Sequence, residues 1–326
     1  HGVLDAGAQG FVNFLEGVIN YILNGCHLNQ AIETVVYEDI PDFHDNQKPA
    51  FRYCCEAVLN NLDLSLNELR KELQVKSDSL ILAGDSAKIH LHIHHNHPDE
   101  LFAFLDKVAK TSQIKVDDMF LQYDIAQNRK YSIGLIADSA CDLPEEWRMK
   151  YQILTIPFGI NFGDRFYLDK TTINAEQFYN KLKSDLNHPQ SNQPSPALIE
   201  SILQFAASHF EKTFSIHISR ELSGIFNNIV SSCKKYSQIQ PVNSKNLSVS
   251  SGLLTYRIAD AIEKKWSFEE INLKISGWTE KSRIFTDIST LKYMVKGGRV
   301  SPLQGFAAKI LNLKPIVSVD ENGKGI

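Results

Sequence analysis

The chain has 326 residues, a length that favours two or three domains over one. Hydrophobic residues make up 43% and charged residues 22%, as in ordinary globular proteins, and the formal net charge of -4 argues against binding of nucleic acid through its phosphates. No stretch approaches the roughly 20 apolar residues of a membrane-spanning helix, and no basic, apolar leader of the secretory kind is visible. Five scattered cysteines do not indicate a disulfide framework. These features predict a cytoplasmic protein without stable membrane insertion.

Both ends of the sequence indicate a piece of a longer chain. It begins at His1, without an initiating Met, and apolar residues at helical spacing between positions 11 and 22 predict an amphipathic helix that ends at Gly25. It ends at residues 319–326, where a predicted strand reaches a glycine-containing turn and a partner strand is expected to return. We therefore expect each end to lie inside a domain.

Residues 33–118 combine helix and strand patterns. The predicted elements are a helix with a capping box at 65–68, two strands at 79–83 and 88–94 joined by a tight turn at 84–86, and a helix that starts at Pro98. This mixture indicates a small α+β domain. Residues 122–130 are polar and have no periodicity, so they predict a domain boundary.

From residue 131 onward, strands alternate with helices. The predicted strands cover residues 133–137, 152–156 and 214–218, and a fourth ends at Val242. This alternation predicts a parallel sheet with helices packed on it, the α/β class. After Trp266 the elements become shorter, which predicts a second, smaller lobe.

Polar residues follow three of these strands. The residues that come directly after these strands are Asp138 and Ser139, residues 219–224, and Asn243 and Ser244. Because the carboxyl ends of parallel strands meet at one edge of a sheet, we expect these residues to lie together. Hydroxyl groups before helix N-termini suit a carboxylate or phosphate ligand, but the same residue types cap helices, so both interpretations stay open. The sequence has neither a GxGxxG fingerprint nor a GK[ST] phosphate loop, which argues against a nucleotide in this lobe.

Six short motifs occur in this part of the chain. They are IADSACDLP at residues 136–144, NFGD at 161–164, QPSP at 193–196, ISRELSG at 218–224, LKYMVKGGR at 291–299 and LKPI at 313–316. In order and spacing they resemble the DegV family over residues 131–326. The resemblance implies a two-lobed α/β module with a parallel sheet in its first lobe, residues 131–270, and a truncated second lobe, residues 271–326.

The DegV resemblance implies a long-chain fatty acid as ligand, with its tail in a buried tunnel and its carboxylate held by polar loops. The matching positions are Ser191, Asn192, Ser223 and Gly224 at the carboxylate, and Asp138, Ser139, Asn243 and Ser244 near the head group. Ser191 stands where the family more often has Thr, Asn192 replaces a Ser, and Asn243 replaces an Asp. A His-Thr-Gly loop of the family lies beyond the end of this sequence, so we expect the head-group site to be incomplete here.

Arg299 follows a KGG turn at the end of a predicted helix. As a helix-end cation it can complement the helix dipole in solvent. The DegV resemblance places this turn beside the head-group opening, where a guanidinium can dock an acidic kinase surface or steady a transferring phosphoryl group. Both interpretations stay open.

Alternating histidines mark the second of the two strands predicted before residue 98. His90, His92 and His94 share one face because side chains alternate along a strand. Such histidines, together with a cysteine, are typical of a zinc site, and Cys54 or Cys55 can supply the thiolate. The alternative is a polar edge strand whose histidines are exposed by chance.

Segments around these residues resemble the middle domain of the fatty acid kinase catalytic protein. They are YC at residues 53–54, DSL at 78–80, HIH at 92–94 and KVDDM at 115–119. The resemblance assigns residues 29–125 to such a domain. It implies a structural zinc ligated by Cys54, His92 and His94. The fourth ligand is water, His90 or another residue. His90 stands at a position where the family usually has no histidine.

The first residues of the chain carry a glycine-rich motif, GVLDAGAQG at residues 2–10. It resembles the closing loop of a dihydroxyacetone-kinase-type ATP domain, with Asp5 and Gly7 near the nucleotide. The resemblance implies that residues 1–28 are the C-terminal remnant of that domain, and that ATP and Mg bind upstream. The alternative is a glycine-rich turn at the start of a helix.

These resemblances predict a protein that binds a long-chain fatty acid and presents its carboxylate to a kinase domain, in cis or in trans, for ATP-dependent conversion to an acyl phosphate. We expect no catalytic residue in this chain, which alone is inactive, and a fatty acid kinase in the full-length protein. One alternative is a non-catalytic lipid-binding or regulatory module with a degenerate kinase half. Another is a metal-dependent hydrolase that uses the histidines and Asp99. A homodimer is compatible with each, and no nucleic acid partner is expected.

Overall fold

The computed structural model describes residues 14–16, 18–19, 48–185, 187–298 and 315–326. The chain divides into two units, His1–Lys48 and Pro49–Ile326. In the first unit, residues 14–16 and 18–19 are helical, inside the helix predicted between positions 11 and 22. Asp5, Gly7 and Arg299, with the roles predicted for them, lie outside the described residues.

The N-terminal part of the second unit is a four-stranded antiparallel sheet covered on one face by two helices. Its elements are β1 (Tyr53–Asn60), α1 (Leu66–Gln74), β2 (Asp78–Asp85), β3 (Lys88–His95), α2 (Pro98–Val108) and β4 (Lys110–Asp118), in the strand order β2-β3-β1-β4. Ile89, Leu91 and Ile93 alternate along β3 and are buried in one core. Leu69 of α1 and Leu105 of α2 belong to the same core, so the opposite face of the sheet is left to polar side chains.

Helix α1 starts at the predicted capping box. The Ser65 hydroxyl accepts a hydrogen bond from the Glu68 N–H (3.3 Å), and the Ser65 N–H donates to the Glu68 carboxylate (2.9 Å). Helix α2 starts at Pro98, as predicted, because a proline needs no hydrogen-bond acceptor in the first turn. Local signals were therefore sufficient to place both helix starts.

The turn between β2 and β3 differs from the predicted turn at residues 84–86. The two residues that follow Asp85 form the turn, and Gly84 belongs to β2. Asp85 closes the turn because its Oδ1 accepts hydrogen bonds from the N–H groups of Ala87 (2.9 Å) and Lys88 (3.2 Å). Glycine is needed inside the strand because φ is +127° and a Cβ atom would lie 2.1 Å from the Lys88 carbonyl oxygen.

The polar stretch at residues 122–130, where the sequence predicts a domain boundary, is largely helical. Helix α3 spans Met119–Asn128. Asp118 caps it by accepting a hydrogen bond from the Leu121 N–H (3.1 Å). Leu121 and Ile125 lie one turn apart and are buried, while most other positions are polar. Too few apolar residues mark the inner face for the helical period to show in the sequence.

The next part of the unit is the predicted α/β fold, which is confirmed. Its strands are β5 (Ile133–Asp138), β6 (Ile153–Ile156), β7 (Gly159–Phe162), β8 (Arg165–Leu168), β9 (Gln190–Asn192), β10 (Lys212–His217) and β11 (Ile239–Asn243). Its helices are α4 (Glu145–Lys150), α5 (Ala175–Ser184), α6 (Pro196–His209), α7 (Ile225–Ser232), α8 (Ser248–Glu263) and α9 (Phe268–Lys281). Four of the strands form a parallel sheet in the order β11-β10-β5-β6. Leu135 and Ala137 pack in one core and Ile136 in another, so helices cover both faces.

The remaining three strands form a small antiparallel sheet in the order β8-β7-β9. In this sheet Asn192 of β9 lies opposite Gly159 of β7. The Asn192 Nδ2 donates a hydrogen bond to the Asn161 Oδ1 (2.8 Å), which ties the side chains of the two strands together. The sequence predicted no strand over β9, because three residues are too few to show an alternating pattern.

Helices α8 and α9 pack together on one face of the parallel sheet. Leu254 and Ile258 of α8 share a core with Ile271 and Ile275 of α9. The predicted start of the second lobe at residue 271 falls inside α9. None of the described helices combines the length and the apolar character needed to cross a bilayer.

The last described segments form a two-stranded sheet. β12 (Thr286–Asp287) pairs antiparallel with β13 (Ile316–Val317), and α10 (Lys292–Lys296) lies between them in sequence. After β13 the chain turns back, as predicted. Ser318 and Ile326 then exchange backbone hydrogen bonds of 2.8 and 2.9 Å.

Candidate functional site

The loops after β5, β10 and β11 lie at the carboxyl edge of the parallel sheet, as predicted. Asp138 ends β5 and is 1% exposed. Its two oxygens accept hydrogen bonds from the N–H groups of Ala140 (3.1 Å) and Ile218 (2.9 Å). One carboxylate therefore holds both its own loop and the loop after β10, and it shapes the site from inside.

His217, to which the sequence analysis assigned no role, completes this support. Its Nδ1 lies 3.2 Å from the Asp138 Oδ2, and its Nε2 lies 2.7 Å from the Ser215 Oγ. His217 and Ser215 are both fully buried. These are the residue types of a serine hydrolase triad, but their burial excludes contact with a substrate, so they brace the ends of β5 and β10. The signal in the sequence was a histidine between Ile216 and Ile218, at the end of β10.

Ser139 has a similar supporting role on the other side of β5. Its hydroxyl donates to the Asp169 Oδ2 (2.7 Å) and accepts from the Phe158 N–H (3.0 Å). The Lys170 Nζ donates to the Ser139 carbonyl oxygen (2.7 Å). Because Ser139 is also buried, it orders the connection from β6 to β7 and is not open to a ligand.

Asn243 and Ser244 order the loop after β11. The Asn243 Oδ1 accepts hydrogen bonds from the N–H groups of Lys245 (3.0 Å) and Arg220 (3.4 Å), which links this loop to the one after β10. The buried Ser244 hydroxyl lies 2.9 Å from the Ser251 hydroxyl of α8. Of the four residues predicted near the head group, Asn243 is the one that joins two loops while remaining partly exposed.

The loop after β10 is also covered by the chain turn near residue 323. The Ser219 hydroxyl donates a hydrogen bond to the Gly323 carbonyl oxygen (2.8 Å). Gly323 has a φ of +88°, and a Cβ atom there would lie 2.2 Å from the Ser219 Oγ and 2.9 Å from the Lys245 Cα. Glycine therefore allows this turn to pack directly against both loops.

The residues predicted at the carboxylate come from two segments that meet through Gln193. Gln193 follows β9, and its Oε1 accepts a hydrogen bond from the Asn228 Nδ2 of α7 (2.6 Å). Its Nε2 lies so close to Gly224 that a Cβ atom there would be 2.6 Å away. The Ser223 hydroxyl accepts from the Ile225 N–H (3.4 Å) at the start of α7. Gln193 was not predicted, although the QPSP motif contains it.

The hydroxyls of this region differ in access from the buried supports. Ser191 is exposed in the middle of β9, and Ser223 is partly exposed beside the first turn of α7. Asn192 is oriented by Asn161, as described above. A helix N-terminus with nearby hydroxyl and amide donors favours a negatively charged group.

A second group of functional side chains lies on the polar face of the antiparallel sheet. Cys54 stands opposite His94, and His92 is two residues away on the same face of β3. One possible ligand atom from each of Cys54, His92 and His94 lies within 4.8 Å of the others. The structure therefore brings together the three predicted zinc ligands, in a donor set that suits zinc.

The electrostatics of this group favour a thiolate. Burial opposes ionisation of Cys54, but the hydrogen bonds and charges of His92 and His94 outweigh it and lower the pKa of the thiol. The contact with Cys54, helped by Glu56, raises the pKa of His92 to about 10. A thiolate is the form of cysteine that binds metals.

Three other residues considered for the metal are not part of this group. Cys55 faces the core and is fully buried. His90 is exposed further along β3, opposite Val58. Asp99 accepts a hydrogen bond from the Asn174 Nδ2 (2.7 Å), so it contributes to a contact between α2 and the start of α5.

An ion-pair network connects the antiparallel sheet to the α/β fold, and the sequence did not reveal it. Asp118 lies 2.8 Å from an Arg52 nitrogen and 2.7 Å from an Arg148 nitrogen. Glu145 contacts both arginines as well. Burial alone would raise the pKa of Asp118, but Arg52 and Arg148 hold it below its usual value. The network joins β1, β4 and α4 although its members are distant in sequence.

The fold and the polar loops at its carboxyl edge define a ligand-binding protein of the open α/β class. A sequence profile described as "Uncharacterised protein, DegV family" matches residues 132–325, more than half of the chain. The chain belongs to the DegV family. A second profile, for the FakA-like middle domain of fatty acid kinase, matches residues 50–125. The predicted resemblances to the DegV family and to the fatty acid kinase middle domain are thereby confirmed, and the resemblance of residues 2–10 to a kinase ATP domain stays a prediction.

Known relatives share the DegV part of the chain. A DegV domain-containing protein of Clostridium acetobutylicum is 34% identical, over 59% of this chain and 68% of that protein. Another from Clostridium perfringens is 32% identical, over 59% of this chain and 68% of that protein. The similarity therefore extends over about two thirds of each relative.

Solved structures agree with this assignment. A DegV family protein from Thermus thermophilus, described by its fatty acid binding, has a TM-score of 0.54 and 25% identity over 59% of this chain and 69% of its own. A fatty acid binding DegV family protein from Streptococcus agalactiae has a TM-score of 0.53 and 26% identity, over 59% of this chain and 69% of its own. The predicted fold class is confirmed by these neighbours.

Proposed function

We propose that this protein binds a long-chain fatty acid, with the carboxylate at the loops that carry Ser191, Asn192, Ser223 and Gly224. The observation that carries the proposal is the meeting of the β9 segment with the start of α7 at the carboxyl edge of the sheet. The fatty-acid-binding relatives from Thermus thermophilus and Streptococcus agalactiae support the choice of ligand. We propose that the acyl tail extends from the carboxyl edge of the sheet into an apolar environment.

In this proposal hydrogen-bond donors, rather than a positively charged side chain, bind the carboxylate. The first turn of α7 presents backbone N–H groups to the carboxylate, and the hydroxyls of Ser223 and Ser191 each donate one hydrogen bond. Gln193 keeps the two segments in contact, while Asp138 and Asn243 hold the loop that leads to Ser223. In this arrangement the serines bind the ligand and the acidic and amide side chains position them.

We expect the protein to release a long-chain fatty acid on organic extraction, and the Ser223→Ala variant to bind oleate about tenfold more weakly or worse. One charge-assisted hydrogen bond is worth roughly 1.5–3 kcal/mol, which corresponds to that change in affinity. Mass spectrometry of the extract and a titration with fluorescent fatty acid provide the two measurements.

The matched control is Ser208→Ala. The Ser208 hydroxyl donates a hydrogen bond to the Gln204 carbonyl oxygen within α6 (3.0 Å). Ser208 lies near the end of α6, which leads into the start of β10, so it is at the edge of the sheet opposite the proposed carboxylate site. Oleate affinity should be unchanged in this variant. An extract without fatty acid, together with no uptake of oleate, would contradict fatty acid binding. Unchanged affinity in Ser223→Ala would limit Ser223 to helix capping.

We further propose that the bound carboxylate is presented to a kinase domain, in cis or in trans. The match of residues 50–125 to the middle domain of a fatty acid kinase supports this step. A carboxylate oxygen attacks the γ-phosphorus of ATP, the bond to the β-phosphate bridging oxygen breaks, and ADP leaves. ATP and Mg belong to the kinase domain, and we assign no catalytic residue to the described part of this chain.

Trapping with hydroxylamine tests the kinase step. Full-length protein loaded with oleate and supplied with Mg-ATP should form acyl hydroxamate, and none should form when ATP is omitted. Protein that holds oleate but forms no hydroxamate, alone or with a partner kinase, would support the non-catalytic lipid-binding alternative instead.

Zinc is the metal we propose for Cys54, His92 and His94, in a structural role. Thiolate and imidazole donors within 4.8 Å of one another, on a sheet face, support this choice. When bound, the metal cross-links β1 to β3 and so stabilises the antiparallel sheet. We do not assign the fourth ligand. His90 does not belong to the group formed by Cys54, His92 and His94.

A further inference from the structure

A β-bulge lies beside the proposed zinc site, on β2. Between Leu82 and Asp85, β2 pairs regularly with β3, and Ile81 lies opposite His92. Continued pairing would place Ser79 opposite His94. The register shifts instead between Asp78 and Ile81, so that Asp78 is the residue opposite His94.

This bulge has a conformational cost. Ser79, inside it, has a φ of +52°, in the left-handed region that residues other than glycine rarely adopt. Without the extra residue, Asp78 would point to the other face of the sheet, because side chains alternate along a strand. The strained residue therefore moves one carboxylate onto the polar face that carries Cys54 and the two histidines.

The carboxylate moved in this way contacts one specific nitrogen. The Asp78 Oδ1 lies 2.8 Å from the His94 Nδ1. A carboxylate accepts hydrogen bonds and does not donate them, so Nδ1 carries the proton in this contact. The same ring lies beside the Cys54 thiol. Nε2 is then the nitrogen of His94 that has a lone pair for a metal.

His92 is supported differently. Its Nδ1 lies 3.8 Å from the Cys54 Sγ and 3.4 Å from the Glu56 Oε1. Glu56 stands directly opposite His92 in the regular part of the β1–β3 pairing, so no bulge is needed to place it. Of the two candidate histidine ligands, His94 is the one with a short carboxylate contact that leaves the other ring nitrogen for the metal.

We propose that Asp78 is a positioning residue that makes His94 bind zinc through Nε2, and that the bulge at Ser79 serves to place it. The inference rests on the zinc site proposed above. Metal-bound histidines commonly donate their second ring N–H to a carboxylate, which orients the ring and raises its basicity. Loss of such a partner costs metal affinity roughly 10- to 100-fold.

The test compares Asp78→Ala with Asp117→Ala in the full chain. Asp117 lies on the other side of Cys54 in the same row of the sheet and pairs with Lys115 Nζ (2.7 Å) rather than with a histidine. Competition with a chromophoric chelator measures zinc affinity. We expect a loss of about 10- to 100-fold for Asp78→Ala and less than about threefold for the control.

A second readout separates positioning from general stability. Long-range ¹H–¹⁵N spectra of histidine-labelled, zinc-loaded protein report which ring nitrogen carries the proton. We expect Nδ1–H for His94 in the wild type and loss of this preference in Asp78→Ala, which removes the acceptor, with no change in Asp117→Ala. Unfolding of the metal-free proteins by urea shows whether each variant is folded before zinc is added.

Each outcome has a definite meaning. Wild-type protein that binds no zinc would overturn the proposed zinc site itself. Wild-type protein that binds zinc, with equal affinity and the same His94 tautomer in Asp78→Ala, would overturn only the role of Asp78. Lower affinity with an unchanged tautomer would also overturn it, since Asp78 would then act through its charge alone.

Discussion

Replacing Asp118 with Ala is expected to lower the free energy of unfolding by about 3 kcal/mol. This carboxylate pairs with Arg52 and Arg148 and also caps α3 through the Leu121 N–H. Loss of the cap accounts for about 1 kcal/mol. The remainder comes from two partly buried arginines that lose Asp118 and keep only Glu145 as a carboxylate partner. We place it at the lower end of the range for buried pairs because Glu145 remains and the Arg52 side chain is 22% exposed.

Urea unfolding followed by circular dichroism measures this effect. The Asp118→Asn variant should lose less than Asp118→Ala, because asparagine also caps helices and only the charge is removed. Asp164→Ala is the control, since Asp164 also forms an ion pair, with Lys110, but is exposed. We expect that control to unfold at the wild-type urea concentration. Equal stability of Asp118→Ala and wild type would show that the network does not hold the two parts together.

The effect of Asp118 should also depend on pH. Its pKa is lower in the folded protein than in the unfolded chain, so it contributes stability above the unfolded pKa and loses that contribution as the pH falls through the folded value. The difference between wild type and Asp118→Ala is therefore expected to be complete at neutral pH. It should shrink as the pH falls below about 3.9, the usual value for an aspartate. A difference that grows in acid would contradict this assignment.

Replacing Cys54 with Ser is expected to reduce zinc affinity by about 100-fold or more. Structural zinc sites bind with about 10–16 kcal/mol in total, so one of four ligands accounts for roughly 3 kcal/mol. Metal-replete wild-type protein should contain one equivalent of zinc after gel filtration, and Cys54→Ser should contain almost none. Elemental analysis of both proteins gives the measurement.

The control for Cys54→Ser is His90→Ala, because His90 shares the strand face of His92 and His94 but lies outside their group. It should retain one equivalent of zinc. Added zinc should raise the melting temperature of the wild type and of His90→Ala, since a ligand that binds only the folded state stabilises it, but not that of Cys54→Ser. Zinc loss in both variants would show that the ligand set is different.

Strands, helix starts and family motifs depend on residues that are close together in the chain, so they could be predicted without a structure. The alternation of Ile89, Leu91 and Ile93 with histidines predicted a strand with one polar face, and the Ser65 capping box predicted a helix start. Alternating strands and helices predicted the parallel sheet, and the polar residues after its strands predicted the carboxyl edge. The family motifs depend on short stretches in order, so they too were visible without a structure.

Which of these polar residues a ligand can reach could not be predicted from the sequence, because it depends on the burial of each side chain in the folded protein. Asp138 and Ser139 follow a strand just as Ser223 does, yet they are buried supports, and Asp138 holds a loop 80 residues away. Strand alternation alone left Cys54 and Cys55 as possible ligands, and the structure agrees with Cys54, which the family resemblance implied, because Cys55 faces the core.

Contacts between distant residues decided the rest. The Arg52 and Asp118 side chains are 66 positions apart, and the bulge that brings Asp78 to His94 depends on how β2 pairs with β3. Helix α3 is stable because Leu121 and Ile125 are buried in a core built largely by residues of the α/β fold. A local pattern cannot predict such features, because their free energy comes from partners that only the folded chain brings together.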